Sequence, residues 1–315
     1  MKERFKDVGM IAGMVIAWTV YYAVSKFMVD RTGSPYAAGF LLRMAALVFL
    51  TVQLAVTGGF RDLFRQGKAT VILLLIGVFG FLLDLFANLG YAAGGSLGTG
   101  TALLKTDVLM VNLLTVVIYR KRLYATDWIG SLLMLFGVLL VLGLDFSELR
   151  FRPTDLFFIA SAACVTANAF IIKAAQDRHA QKADTISYYN NFVVLLLFAL
   201  FAISRGDLAA LKPSETPGFW WFVALGGLAQ TGIYFFYYRN LKRHEVWVVK
   251  LWLLLMPVFS CIVGILFLNE TPTVWKLVGV GVVMLGAGII LLRGKLHPEE
   301  KIAEREETEN AHGRR

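Results

Sequence analysis

Residues 101–123 read TALLKTDVLMVNLLTVVIYRKRL. The stretch is apolar enough for a bilayer, yet Lys105 and Asp107 stand near its start and Asn112 in its middle. A charge at the bilayer centre costs about 2.5–3.5 kcal/mol on insertion scales, so such residues face a bundle interior or a water-filled cavity. At about 100° per residue, Thr101, Lys105, Val108, Asn112 and Thr115 share one stripe of a continuous helix, and Asp107 lies about 200° from Lys105. The pattern predicts a membrane helix with an inward polar stripe. Asp107 then meets another helix, the outer interface or the edge of a cavity.

The rest of the chain has the same character. Its 315 residues are 57% hydrophobic and 17% charged, with a mean hydropathy of +0.65. Soluble domains run at about 45–50% apolar and about 25% charged. The excess comes in blocks at 8–29, 36–57, 70–93, 99–119, 126–144, 154–174, 186–203, 218–238, 246–268 and 273–292. Each is close to the roughly 20 residues of a spanning helix. Barrel strands would alternate over about 10 residues, and these blocks do not.

Ten spans put both termini on one side. With Lys173 and Lys276, at the ends of their blocks, counted with the adjoining sides, 21 of the Lys and Arg fall on that side, 6 on the other, and Lys26, Arg43, Lys105 and Lys250 deeper within the blocks. The bias places both termini in the cytoplasm. It also explains the net charge of +9, because the basic residues sit in loops beside apolar blocks and not on one soluble face that nucleic acid could use. Cys164 and Cys261 have no metal-type spacing, and His179, His244, His297 and His312 fall in loops or the tail. No metal site is expected. The start, MKERFKD, followed by a long apolar block, reads as a retained first helix.

A shift of 149 residues lays Gly77 on Gly226, Gly130 on Gly279 and Gly137 on Gly286, and Arg120-Lys121-Arg122 on Asn269-Glu270-Thr271. Near the start a shift of 147 lays Lys26 on Lys173. Five blocks per copy is an odd number, so the second copy enters the membrane from the opposite side. Inverted repeats of this kind build many secondary transporters, with the substrate near the midplane. Gly130 and Gly137 fall on one face of their block, as do Gly279 and Gly286, and small residues there let helix backbones approach.

Trp18, Lys26, Pro35 and Arg43 in the first half, and Pro257, Glu270-Thr271-Pro272, Gly279 and Gly286 in the second, resemble the motifs of the EamA family of the drug/metabolite transporter superfamily. The resemblance covers about 8–292. It implies a ten-helix transporter of two five-helix repeats, with a cavity lined mainly by helices 1, 3, 4, 6, 8 and 9. Val108 stands where the family proline would fall, and Lys121 where its glutamate would fall. The second departure follows the positive-inside bias, because that end of the block is cytoplasmic.

The chain is therefore expected to be an all-α integral membrane protein, with ten transmembrane helices as two inverted five-helix repeats. Residues 1–7 form a cytoplasmic N-terminus, 8–144 the first repeat, 145–153 a linker, 154–292 the second repeat and 293–315 a polar cytoplasmic tail. The cell (inner) membrane is the expected location.

The expected substrate contacts are Trp18, Tyr22, Asn88, Lys105, Asn112, Asn168, Tyr234 and Lys250, with Asp84 and Asp107 as ion-coupling carboxylates. Gln230 and Tyr237 add polar groups to block eight. Lys105 either forms a structural pair with Asp84 or holds a substrate anion. Lys250 either snorkels to the cytoplasmic interface or supplies a second cation. Arg43 reads as a tie between helices through backbone carbonyls.

These residues suit a secondary active transporter, an exporter or exchanger, of a small polar metabolite with a negative group, such as an amino acid or organic anion. The absence of a P-loop motif leaves a proton or a counter-substrate to drive it. The alternative is a flippase for a lipid or lipid-linked headgroup, with a cavity open sideways. An enzyme is not expected, since no His or Cys cluster, nucleophile motif or sizeable soluble domain is present. No cofactor or nucleic acid is expected. The partners are the bilayer and the substrate, for a monomer or homodimer.

Overall fold

The computed structural model describes residues 2–64, 66–95, 100, 103–119, 124–141, 154–209, 217–256 and 274–296. Among these, regular structure is helical. In chain order α1 is Lys2–Thr32, α2 Pro35–Thr57, α3 Thr70–Ala92, α4 Asp107–Tyr119 and α5 Ala125–Val141. Then follow α6 Asp155–Arg178, α7 Ala183–Ser204, α8 Phe219–Arg243, α9 Val246–Leu253 and α10 Val274–Leu296. Six of the described helices, α1 from Asp7 onward, α2, α3, α6, α7 and α8, are long and apolar enough to cross a membrane. Thr101, Arg120-Lys121-Arg122, Lys212, Pro257, Cys261, Glu270-Thr271-Pro272, 145–153 and 297–315 lie outside the described residues.

Local chemistry sets the corner between α1 and α2. Gly33 turns the chain at φ 64°. The Ser34 hydroxyl then accepts the N–H groups of Tyr36 at 3.2 Å and Ala37 at 3.1 Å. Pro35 takes the first helical position, where no N–H is needed.

The helices pair in a symmetric pattern. α1 packs on α8 as α6 packs on α3, and α2 packs on α8 as α7 packs on α3. The pairs α2–α7, α4–α9 and α5–α10 complete it. Exchanging every helix for the one five places away leaves these contacts unchanged.

The α5–α10 pair shows the same exchange at atomic detail. A Cβ on Gly137 would lie 2.8 Å from the Gly279 carbonyl oxygen, and one on Gly286 would lie 2.8 Å from the Gly130 carbonyl oxygen. The four glycines therefore meet in crossed pairs, and a methyl group at Gly137 or Gly286 would push the backbones apart. The i,i+4 ion pairs Lys26–Asp30 and Lys173–Asp177 also correspond, under the shift of 147. Away from these contacts, Leu132, Leu196, Trp221 and Leu285 are more than half exposed, as lipid-facing side chains are.

Two blocks expected as continuous helices are interrupted. Before α4, the Thr106 N–H donates to the Leu103 carbonyl at 3.1 Å and the Val108 N–H to that of Lys105 at 3.2 Å. After α9, the Leu254 and Leu255 N–H groups donate to Leu251 and Trp252, each at 3.0 Å. These are three-residue turns, and Leu103–Thr106 falls on Trp252–Leu255 under the shift of 149. A turn of about 120° per residue resets the helical phase, so the stripe from Lys105 to Asn112 does not run as a continuous helix would carry it.

Candidate functional site

The interior between α1, α2, α3, α6, α7 and α8 holds a narrow cleft of about 30 Å³. Trp18, Asp84, Asn168 and Tyr234 line it, as do Arg43, Asn190, Gln230 and Tyr237. Four of the expected residues thus come together here. The Trp18 indole nitrogen and the side-chain oxygens of Asn168 and Asn190 are buried without a hydrogen-bond partner among the described residues. Buried polar groups normally have partners, so these three offer a bound solute one donor and two acceptors.

Arg43 and Asp84 form the floor of the cleft, each 3% exposed. Arg43 Nε donates to Asp84 Oδ2 at 2.8 Å, and Nη2 donates to the same oxygen. Arg43 Nη1 donates to the Tyr234 hydroxyl. Tyr21 donates its hydroxyl to Asp84 Oδ2 at 2.8 Å. The guanidinium carbon lies 5.6 Å from the Tyr21 ring centre and 5.7 Å from that of Tyr234, at cation–π range. One network therefore ties α1, α2, α3 and α8.

This geometry corrects two readings. Asp84 pairs with Arg43 and not with Lys105. Arg43 acts through its guanidinium, although its own carbonyl accepts from Asn191 Nδ2 at 3.0 Å. Sequence spacing could not select Arg43 over Lys105, because helix order in space decides which cation meets Asp84.

A second charged cluster lies at the helix interruptions. Lys250 Nζ donates to Asp107 Oδ2 at 2.8 Å, with side chains 1% and 6% exposed. Lys250 is thus buried and does not snorkel, and Asp107 meets another helix. Lys105 is 5% exposed, and its Nζ lies 3.1 Å from Met256 Sδ. Asp107 Oδ1 is buried without a partner among the described residues. The Tyr237 ring joins the two regions, with its centre 5.4 Å from Lys250 Nζ and 5.9 Å from the Trp18 ring. Tyr22 packs beside Trp18 at 5.3 Å between ring centres.

Two expected contacts are placed elsewhere. Asn88 accepts from Ser25 Oγ at 2.8 Å and donates to the Pro35 carbonyl at 3.2 Å, which ties α3 to α1 and the start of α2. Asn112 donates to Ser131 Oγ at 3.1 Å and ties α4 to α5. Neither lines the cleft. Asn190, by contrast, was absent from the expected set. Its one signal was an Asn-Asn step at 190–191 inside an apolar block. Asn190 Nδ2 donates to the Tyr238 hydroxyl and braces the cleft wall.

The model of the EamA-like transporter family matches residues 6–143 and again 152–292. A curated protein from Sinorhizobium sp, described as an uncharacterized transporter in the cobO 3' region, is 33% identical over 106 residues, which are 33% of this chain and 74% of that one. A solved structure, described as "Crystal structure of protein", shares the fold with a TM-score of 0.69 at 18% identity, over 90% of this chain and 98% of that one. With both halves of the chain matched, this protein belongs to the EamA-like transporter family, a family of multi-pass membrane transporters.

Proposed function

We propose that the protein is a secondary active transporter that moves a small polar organic solute bearing a negative group by alternating access. The observation that carries the reading is the cleft itself: a small interior cleft between packed helices whose lining carries partnerless polar atoms. A cleft of that kind suits a solute, since buried polar groups in a membrane protein mark substrate and ion pathways. Lys105 and Lys250 bring positive charge. Trp18, Tyr22, Tyr234 and Tyr237 cover an apolar part of the solute. Asp84 and Asp107 are the carboxylates placed to carry a coupling proton, or a counter-substrate supplies the drive.

Ten transmembrane helices in two inverted repeats, 8–144 and 154–292, give this transporter its two exchangeable states. The symmetric helix contacts, the crossed glycine pairs and the matched interruptions support that architecture. Broken helices at equivalent positions of two repeats are a recurrent device for placing polar groups at mid-membrane. Both termini lie in the cytoplasm and the protein sits in the cell (inner) membrane, as an exporter or exchanger and not an enzyme.

The test is reconstitution in proteoliposomes, with counterflow measured for labelled organic anions and amino acids, and leaflet exchange measured for a fluorescent phospholipid. Solute counterflow without lipid exchange is the expected result. Lipid exchange without solute counterflow would replace the proposal with a flippase.

A further inference from the structure

The two charged groups of sites differ in their balance. Arg43 and Asp84 neutralise each other. Lys250 and Asp107 do the same, with 2.8 Å between Nζ and Oδ2. Lys105 is as buried as these, at 5% exposure, yet its near acceptor among the described residues is the sulfur of Met256 at 3.1 Å. A thioether is a weak acceptor and carries no charge. Among the described residues, the cluster of Lys105, Lys250 and Asp107 therefore holds one positive charge in excess, in a place where uncompensated charge is costly.

The repeat shows what is missing. Under the shift of 149, Met256 corresponds to Asp107. In the first half that position presents a carboxylate to a lysine of the second half. In the second half it presents a thioether to a lysine of the first. Met256 therefore fills, beside Lys105, the position at which the first half carries its acid.

We propose that the negative group of the substrate displaces the Met256 thioether from Lys105, and that the transported solute is an organic monoanion whose single carboxylate-type group pairs with that lysine. This rests on the transporter reading above and names the charge of its substrate. One negative charge brings the cluster to neutrality. A dianion would leave a net negative charge beside the partnerless Asp107 Oδ1. A cation would add to the excess. The Tyr237 ring lies 5.4 Å from Lys250 Nζ, and the rings of Trp18 and Tyr22 continue from it at 5.9 and 5.3 Å between centres, which suits an apolar or aromatic body.

The test uses the purified full-length chain and probes of one shape but different charge: benzoate, phthalate and benzylamine, with nitrate and sulfate as small anions. Thermal unfolding in detergent reports binding, because a ligand of the folded state raises the transition. Benzoate or nitrate should raise it saturably, while phthalate, sulfate and benzylamine at equal concentration and neutral pH should not. Lys105→Met should weaken the monoanion response by at least about tenfold. Met256→Asp should do the same without losing stability, because it gives Lys105 an internal counter-ion like that of Lys250. An equal response to phthalate, a monoanion response retained in either variant, or no response to any monoanion would each overturn the charge assignment. Counterflow of some other solute in the same preparation would leave the transporter reading standing. Absence of counterflow for every solute would remove that reading whatever benzoate does.

Discussion

Arg43 of α2 and Asp84 of α3 share one oxygen: two nitrogens of the guanidinium converge on Asp84 Oδ2, which also accepts the Tyr21 hydroxyl. Both residues are 3% exposed, and both line the cleft. The pair thus ties α2 to α3 where both residues line the cleft.

Removing one partner should leave a bare buried charge. Arg43→Met or Asp84→Asn alone is expected to destabilise the fold by about 3–5 kcal/mol, whereas the double variant should recover much of the loss. Denaturant unfolding of the two single variants and the double variant closes the cycle, and additive losses would show that the pair is not coupled.

Lys250 and Lys105 should respond in opposite ways. Lys250→Met strands Asp107 and should lower stability, and adding Asp107→Asn should restore it. Lys105→Met removes a charge with no acidic partner bonded to it among the described residues, and should leave stability equal or higher. Thermal unfolding of both lysine variants, without ligand, decides the point.

The crossed glycines make a packing prediction. Gly137→Ala places a Cβ 2.7 Å from the Val283 backbone nitrogen, and Gly286→Ala places one 2.8 Å from the Gly130 carbonyl oxygen. Each should cost about 1–3 kcal/mol through forced separation of α5 and α10. Gly281→Ala meets nothing within 4 Å and should be neutral in the same unfolding assay.

His244, the residue that ends α8, gives a pH prediction. Burial holds its pKa below the ordinary 6.5, outweighing the opposing pull of Asp7, and Arg243 and Lys173 push it the same way. The unfolded chain then takes up the proton first. Stability is therefore full above about pH 6.5 and declines as pH falls below it. The unfolding temperature should drop less between about pH 7.5 and pH 5.5 in His244→Gln than in the parent. An equal drop would show that His244 does not contribute.

The charge bias of the loops predicts topology. A single cysteine replacing Lys182 should resist an impermeant reagent applied outside intact cells, and one replacing Lys212 should react with it. The reverse pattern would invert the orientation.

Composition and periodicity were enough for an all-helical membrane protein, because a bilayer imposes its thickness on every spanning helix and leaves that length written in the apolar blocks. The glycine pairs were legible for the same kind of reason: their spacing marks one face of a helix, and close approach is what small residues permit. Charge partners were not legible. Which cation meets Asp84, and that Asp107 holds Lys250 while Lys105 faces Met256, depends on how helices far apart in sequence cross in space, and on two short turns that reset the phase of the polar stripe. Sequence spacing sets the faces of one helix; the packing of the others decides what each face meets.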